Sequence, residues 1–452
     1  MSNLSEEAVR VYDDLLTGES DLMQRTQQEL WQRLEEVRFV FGGRMLSPYL
    51  RPHFISRQDW DRITAICNEF WGSVLKVGDL AIDNVELQDY LGLSEAEKRL
   101  ISTDPKFRGV SRFSRLDSFL TDNSYQFVEL NAETPAGSAY ADVASEIFQS
   151  LEVMKRFNRQ YRLSHPLMRQ MILDVLLNAH REFSGNGKQP QIAIVDFGGL
   201  ATQREFELVQ EFFELGGYKT IIADPRELEF SAGKLRKGDF EIDIVYKRLL
   251  VNELLEKVDE CGEFIKAYHS QAVCVVNSFR GKLVHKKLLF GVLTDEKFAH
   301  FFTPEERAAV EKHVPWTRRM EPRKTQFHGK DIDLIDFVKD NRDKLVLKPN
   351  DDYGGKGIFI GWQATAVEWD NAMQTALTGD YLVQERVVTS REIFPYVNAD
   401  GTVSWLEHLV DLDPMLFDGK VGGAFTRLST SELANVTSGG GMVPVFIVEG
   451  RY

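Results

Sequence analysis

The stretch VLKPNDDYGGKGIFIG, residues 346–361, decides how the rest of the chain is read. An apolar run delivers Lys348, a polar segment with Asp351 and Asp352 leads into Gly354, Gly355, Lys356 and Gly357, and a second apolar run follows. Two short apolar runs about a glycine turn predict two strands joined by a loop. Glycines let the backbone approach a polyanion closely, and their amides can donate to phosphate oxygens, while Lys348 and Lys356 supply point charges. No Lys-Ser/Thr pair opens a helix here, so this is not a P-loop, nor is it the dinucleotide fingerprint. Taken alone, the segment reads equally as a glycine hairpin with solvated lysines.

Working outward, three more segments carry chemistry. In FVELNAETPAG, residues 127–137, a strand places Glu129 and Asn131 on one face, because side chains alternate with period two. Two oxygen ligands side by side at a strand end suit Mg²⁺, although an exposed strand face would look the same. In YLVQERVV, residues 381–388, an apolar strand ends in Gln384, Glu385, Arg386 and Val387, a hinge able to offer backbone groups to a base, or an ordinary core strand. In the C-terminal GGAFTRLSTSELANVTSGGGMVPVFIV, residues 422–448, Arg427 sits on a strand ahead of a polar glycine loop at 438–441 that can close over phosphates or stay exposed.

Between these segments the texture of the chain changes several times. Residues 5–100 read as helices, with apolar residues at helical spacing over 20–41 and again over 59–77. Strands are expected at 113–120 and 125–130, helices at 141–156 and 165–183, and a linker at 184–190. An alternating pattern follows: strand 191–197, helix 202–215, then strands 219–223, 242–246 and 272–277, the signature of a parallel sheet with crossover helices. A helix at 283–293 opens a last region rich in antiparallel strands. The expected organisation is a helical region 1–108, a mixed segment 109–189, a Rossmann-like substrate domain 190–280 and a mixed domain 281–452.

Composition narrows the function classes. The chain has 452 residues, 43% apolar and 27% charged, with 54 Lys+Arg against 69 Asp+Glu for a net charge of −15. A broad surface for nucleic acid or anionic membrane is therefore not expected. No run of ~18 apolar residues suggests a membrane span. The acidic, amphipathic start MSNLSEEAVRVYDDLL does not resemble a signal peptide, and three scattered cysteines suit a reducing cytosol. The histidines show no HxxxH or His/Cys cluster of the kind a zinc or triad hydrolase needs.

The combination of a Lys-Pro/Gly-rich loop, an apolar-then-acidic hinge and a strand Glu-x-Asn resembles the ATP-grasp superfamily. The Glu-x-Asn strand precedes the loop, an order that resembles the circular permutation of eukaryotic-type glutathione synthetase and glutathionylspermidine synthetase-like ligases. The resemblance covers roughly 110–452. SRLDSF resembles the family's Arg-Ser-Asp element through Arg115 and Asp117; ATQREFELVQEFF resembles its Gln-Arg helix start, giving Gln203; DIVYKR its Tyr-x-Arg strand, giving Arg248; VHKKLLFGVL its Lys-Lys helix, giving Lys286 and Lys287. The family's magnesium glutamate falls on Asp352. Three positions depart from the pattern: Ser429 replaces a second basic residue, Val251 a substrate-side tyrosine, and only Asp196 stands near the acidic position before the Gln-Arg helix. These changes sit on the substrate side.

The resemblance implies an α/β chain with α+β elements, an ATP-grasp fold and an ATP- and Mg²⁺-dependent carboxylate–amine ligase, cytoplasmic, with small-molecule carboxylate and amine substrates and room for a homodimer. It implies Lys287, Lys348, the glycine loop and the hinge 384–387 for ATP, and Glu129, Asn131 and Asp352 for Mg²⁺. Arg115, Arg248 and Arg427 are implied for the reacting groups, and Arg115, Asp117, Thr134, Gln203 and Arg248 for substrate. Arginine suits such work because its guanidinium grips carboxylate or phosphate through two parallel hydrogen bonds. Lys286 and Lys287, adjacent on a helix, would point ~100° apart, so only Lys287 is expected to reach phosphate. A kinase of the same fold and a silent nucleotide-binding scaffold are the alternatives; retention of Glu129, Asn131, Asp352 and Lys348 together argues against the scaffold.

Overall fold

The structure, a computed structural model, describes residues 3–19, 21–185, 187–434, 436 and 439–452. Three sheets organise it. The largest runs in the order His53–Ser56, Gly441–Arg451, Lys420–Ser429, Val403–Phe417, Phe113–Leu120, Tyr125–Asn131, with Ser390–Val397 added along Val403–Phe417 and Tyr161–Ser164 along Gly441–Arg451. Its ladders are antiparallel apart from His53–Ser56, which lies parallel to Gly441–Arg451. A second sheet, in the order Cys274–Val276, Ile244–Lys247, Ile192–Val195, Thr220–Ala223, is parallel throughout. Its strands IAIV and IVYK are wholly buried, as continuous apolar runs covered on both faces must be. The third, Thr317–Arg319, Tyr381–Glu385, Leu345–Pro349 and Phe359–Ile360, is antiparallel, and the helices Leu334–Asp340 and Ala366–Thr378 pack on it around Trp369.

Several expected elements take a different form. The helical region contributes the strand His53–Ser56 to the large sheet and a hairpin of Val40–Phe41 and Arg44–Met45, so the helix expected over 20–41 is Leu22–Glu36. Gly42 and Gly43 both have positive φ, and two such residues make the tight turn that twists with its strands. The helix expected over 141–156 is two, Ser138–Ser150 and Glu152–Phe157, with Leu151 extended between them. An antiparallel flap of Glu229–Ser231, Lys234–Lys237 and Phe240–Ile242 interrupts the parallel pattern. The helix expected over 283–293 breaks into Lys282–His285 and Leu289–Thr294, with Lys286 extended between them. Part of the linker, Asn186, and part of the C-terminal glycine loop, Ser438, lie outside the described residues.

That break roots the glycine loop. The Lys287 N–H donates to the Asn350 carbonyl (3.0 Å) and the Leu288 N–H to Asn350 Oδ1 (2.9 Å). Lys282 and Lys286 then close on Asp351 at 2.6 and 2.7 Å. The same two ammoniums reach Glu97 of the N-terminal region, and Lys282 also reaches Glu133, which faces the buried Lys247 of the parallel sheet. One buried, hydrogen-bonded charge network thus joins five segments distant in sequence, around Glu97, Glu133, Lys247, Lys282 and Asp351, and removing one partner strands the others. Burial would raise the Asp351 carboxyl; the two lysines overcome this and hold it below the usual range. The stabilisation is therefore present above about pH 4, where the unfolded carboxyl ionises, and fades as acid titrates the folded one. Asp351→Asn is expected to cost about 3 kcal/mol at pH 7 in denaturant unfolding, with the gap to the unsubstituted chain narrowing in acid.

Candidate active site

Strand register builds the centre of the site. In the large sheet Asp117 stands opposite Glu129, Arg115 opposite Asn131, and Asp411 opposite Arg427. Because side chains alternate, Arg115 and Asp117 share one face, as do Asp411 and Asp413. Arg427 lies in the ring of three carboxylates: its Nη2 is 2.6 Å from both Asp117 and Asp411, and its Nε is 2.8 Å from Asp413. Arg115 grips Asp117 with two bonds, at 2.8 and 3.2 Å, and donates to the Ala136 carbonyl. The Asn131 amide donates to Asp117 at 3.3 Å.

Three buried carboxylates against two guanidiniums leave the cluster short of positive charge. Burial pushes the Asp411 carboxyl up to about 6 against the pull of Arg427, and raises Asp413 further. Asp117, also penalised by burial, is nonetheless held low because both Arg115 and Arg427 bond to it. Asp411 and Asp413 had no signal in the sequence beyond the alternation in VDLDPM, which an ordinary strand shares.

Two cavities meet at this cluster. The first, about 470 Å³, lies between the large sheet and the third sheet. Val346, Ile358 and Ile360 form one apolar wall and Phe119, Val128 and Leu433 face it, with the segment 384–388 along the edge. Lys348 projects into it and donates to the Val128 carbonyl (3.1 Å) and to Gln384 Oε1 (2.7 Å). Burial pushes this ammonium down to about 8, although Glu129 nearby favours its charge. Arg386 lies over the Trp362 ring at 4.1 Å. The second cavity, about 370 Å³, opens toward the parallel sheet. Asp117, Glu129 and Arg427 line both cavities.

The second cavity reaches the carboxyl ends of the strands Ile192–Val195 and Ile244–Lys247. The chain passes from the first of these to Thr220–Ala223 on one side and then back to the second on the other, so the crevice between them is the switch point where open parallel sheets bind ligands. Asp196 and Arg248 emerge there, and both line the cavity. Burial pushes the Asp196 carboxyl up to about 7, with the Phe197 N–H and Arg248 opposing. Arg248 donates to the Pro135 carbonyl (2.6 Å) and the Tyr246 hydroxyl (3.2 Å), with Glu205 3.6 Å away. Among the three arginines singled out by sequence it is the one least neutralised by carboxylate. His285, whose ring burial pushes down to about 4, is neutral at pH 7.

The remaining expected residues divide. Asn131, Thr134 and Gly354 line the second cavity, and Gln384, Glu385, Arg386 and Val387 the first. Lys287 Nζ lies 3.2 Å from Glu129 Oε1 and 2.5 Å from the Asp352 carbonyl, while Lys286 turns to Asp351. The two lysines diverge because the chain is extended at Lys286, not because a helix rotates them. Gly354, Gly355 and Gly357 all have positive φ, which the loop's course requires and side chains resist. Gly355, Lys356, Gly357 and Asp352 line neither cavity, nor does Gln203; Glu205, two residues on, lines the second and accepts from the Gly137 N–H at 2.7 Å.

No family model matches the chain, and no curated protein does. Among solved structures it is similar to a glutathione synthetase-like effector from Globodera pallida in its apo form, with a TM-score of 0.61 at 13% identity over 95% of this chain and 98% of that one. A candidate gamma-glutamylcysteine synthetase from Methylobacillus flagellatus gives a TM-score of 0.38 at 9% identity over 81% and 84%, too low to bear on the fold. No helix among the described residues is long and apolar enough to cross a membrane. At 13% identity the first likeness speaks to architecture: the chain is a mixed α/β protein with a glutathione synthetase-like fold.

Proposed function

We propose that the chain is a circularly permuted ATP-grasp enzyme, an ATP- and Mg²⁺-dependent ligase that joins a carboxylate to an amine through an acyl phosphate. The observation that carries this reading is that Glu129 and Lys348, more than two hundred residues apart, line one cavity, and that this cavity meets a second at Glu129, Asp117 and Arg427. A purine fits the slot between Val346, Ile358 and Ile360 on one side and Val128 and Leu433 on the other, with hinge backbone groups of 384–387 at its edge. Lys348, which lines this cavity, then faces the phosphates, and Lys287, held on Glu129 outside the cavity lining, would have to turn from it to join them.

Glu129, where the two cavities join, and Asn131, on the same strand face in the second cavity, offer oxygen donors, which is the donor chemistry Mg²⁺ prefers; Asp352 lines neither cavity and would add a third only if the glycine loop moved inward. When bound, the ion would neutralise triphosphate charge. The chain's own residues do the rest by position. Arg248 orients the substrate carboxylate, and the junction brings its oxygen in line with the terminal phosphate. Phosphoryl transfer needs little more than alignment and charge neutralisation. The incoming amine displaces phosphate from the acyl carbon and forms the amide, while the glycine loop keeps water from the mixed anhydride.

Purified protein with ATP, Mg²⁺ and pools of amino acids and polyamines is expected to release ADP and phosphate only when both a carboxylate and an amine are present; phosphorylation of a hydroxyl compound would instead make it a kinase, and ATP binding without turnover a scaffold. Glu129→Gln is expected to cut turnover at least about a hundredfold with the fold intact by circular dichroism; unchanged turnover would remove Glu129 from the site. ATP affinity is expected to weaken about tenfold between pH 7 and pH 9 as Lys348 loses its proton, and Lys348→Met to abolish that dependence in calorimetry.

A further inference from the structure

The glycine loop is fixed at its two ends and lightly held at its tip. Asn350 bonds to the backbone of Lys287 and Leu288, Asp351 to Lys282 and Lys286, and the Asp352 carbonyl accepts from Lys287 (2.5 Å). Beyond Gly357 the chain re-enters the third sheet at Phe359–Ile360. Between these ends the backbone bonds of the turn are long: Lys356 N–H to the Tyr353 carbonyl and Ile358 N–H to the Gly355 carbonyl, each 3.4 Å. The tip is also tied sideways. The Tyr353 hydroxyl donates to Glu253 Oε1 (3.3 Å), on the helix Val251–Glu256 that follows the parallel strand Ile244–Lys247. Burial and the Glu253 charge both raise the Tyr353 hydroxyl, so it stays a donor through the neutral range.

This tie decides which cavity the loop leans on. Tyr353 and Gly354 line the second cavity together with Glu253, whereas Gly355, Lys356 and Gly357 line neither. The Tyr353 ring is half exposed, so packing alone holds it weakly and its hydroxyl bond sets its place. For Lys356 to reach a ligand in the first cavity the tip has to move, and Tyr353 at its head has to leave Glu253.

We infer that Tyr353 is a positioning residue: its bond to Glu253 parks the glycine loop over the second cavity, and release of that bond lets the loop close on a ligand in the first. The inference rests on the ligase reading only in naming that ligand as ATP. One hydrogen bond from an uncharged donor to a partly exposed carboxylate shifts an equilibrium by about fivefold. That is enough to bias the loop and little enough for a bound nucleotide to overcome.

Tryptic cleavage after Lys356, an exposed residue, reads the loop directly through the fragment that begins at Gly357, because cleavage tracks the open population when opening is fast. In the full chain without nucleotide, Tyr353→Phe and Glu253→Ala are each expected to speed this cut about fivefold relative to cuts elsewhere, with urea midpoints unchanged. Glu253→Gln, which keeps an acceptor oxygen, is expected to stay within about twofold of the unsubstituted chain. An unchanged rate in Tyr353→Phe, or a rise in Glu253→Gln equal to that in Glu253→Ala, would overturn the inference. ATP is expected to slow the cut, and calorimetry to show it binding about fivefold tighter to Tyr353→Phe; weaker binding would also overturn the inference. If ATP neither binds nor protects while the substitutions act as stated, the nucleotide reading fails and the parked loop stands. Protection by ATP with no effect of either Tyr353→Phe or Glu253→Ala leaves the ligase and removes the tie.

Discussion

The contact between Arg427 and Asp117 holds the site together. It spans 310 residues of sequence, and its geometry needs three strands in register: Phe113–Leu120 to supply Asp117, Val403–Phe417 to supply Asp411 and Asp413, and Lys420–Ser429 to supply the arginine. A guanidinium in a ring of buried carboxylates is costly to desolvate and tolerable only when every partner is in place. The cluster therefore works as a register lock. A slip of one residue in any of these strands would turn its charged side chain to the other face and leave the others buried without a partner.

The same cluster forms the wall between two chemically different spaces. On one side lie an apolar slot and a buried lysine; on the other, the switch point of a parallel sheet. Where they meet, positive and negative groups alternate at hydrogen-bond distance. On the proposed ligase reading, groups entering from the two sides would meet where charge is already organised, and electrostatic preorganisation of this kind is usually the largest contribution to catalysis.

Much of this was legible in the sequence where chemistry and periodicity agree. The strand with Glu129 and Asn131, the buried runs of the parallel sheet and the strand delivering Lys348 lie where alternation and β-branched runs put them. What failed has physical causes. Asp411 and Asp413 sit in a strand whose pattern looks ordinary, because a buried acidic residue announces itself only when its arginine is seen beside it. The hairpin at 40–45 was hidden by a helical pattern running up to Phe41, with Gly42–Gly43 the missed turn signal. Asp351 and Asp352 are indistinguishable as neighbours in sequence. The fold separates them by aiming one carboxylate at Lys282 and Lys286. The break at Lys286 follows from tertiary bonds to Asn350, which local propensity does not encode.

The parallel insertion of His53–Ser56 beside Gly441–Arg451 has a consequence for biosynthesis. Arg57 at the end of the early strand pairs with Glu449, 392 residues later, and Tyr161–Ser164 also waits for that late strand. Two strands of the large sheet are therefore without their partner on the ribosome until a segment hundreds of residues later has emerged. Such distant pairings form slowly, and open strand edges invite association in the interval. For most of its synthesis the nascent chain thus carries two strands whose pairing groups have no partner yet to meet.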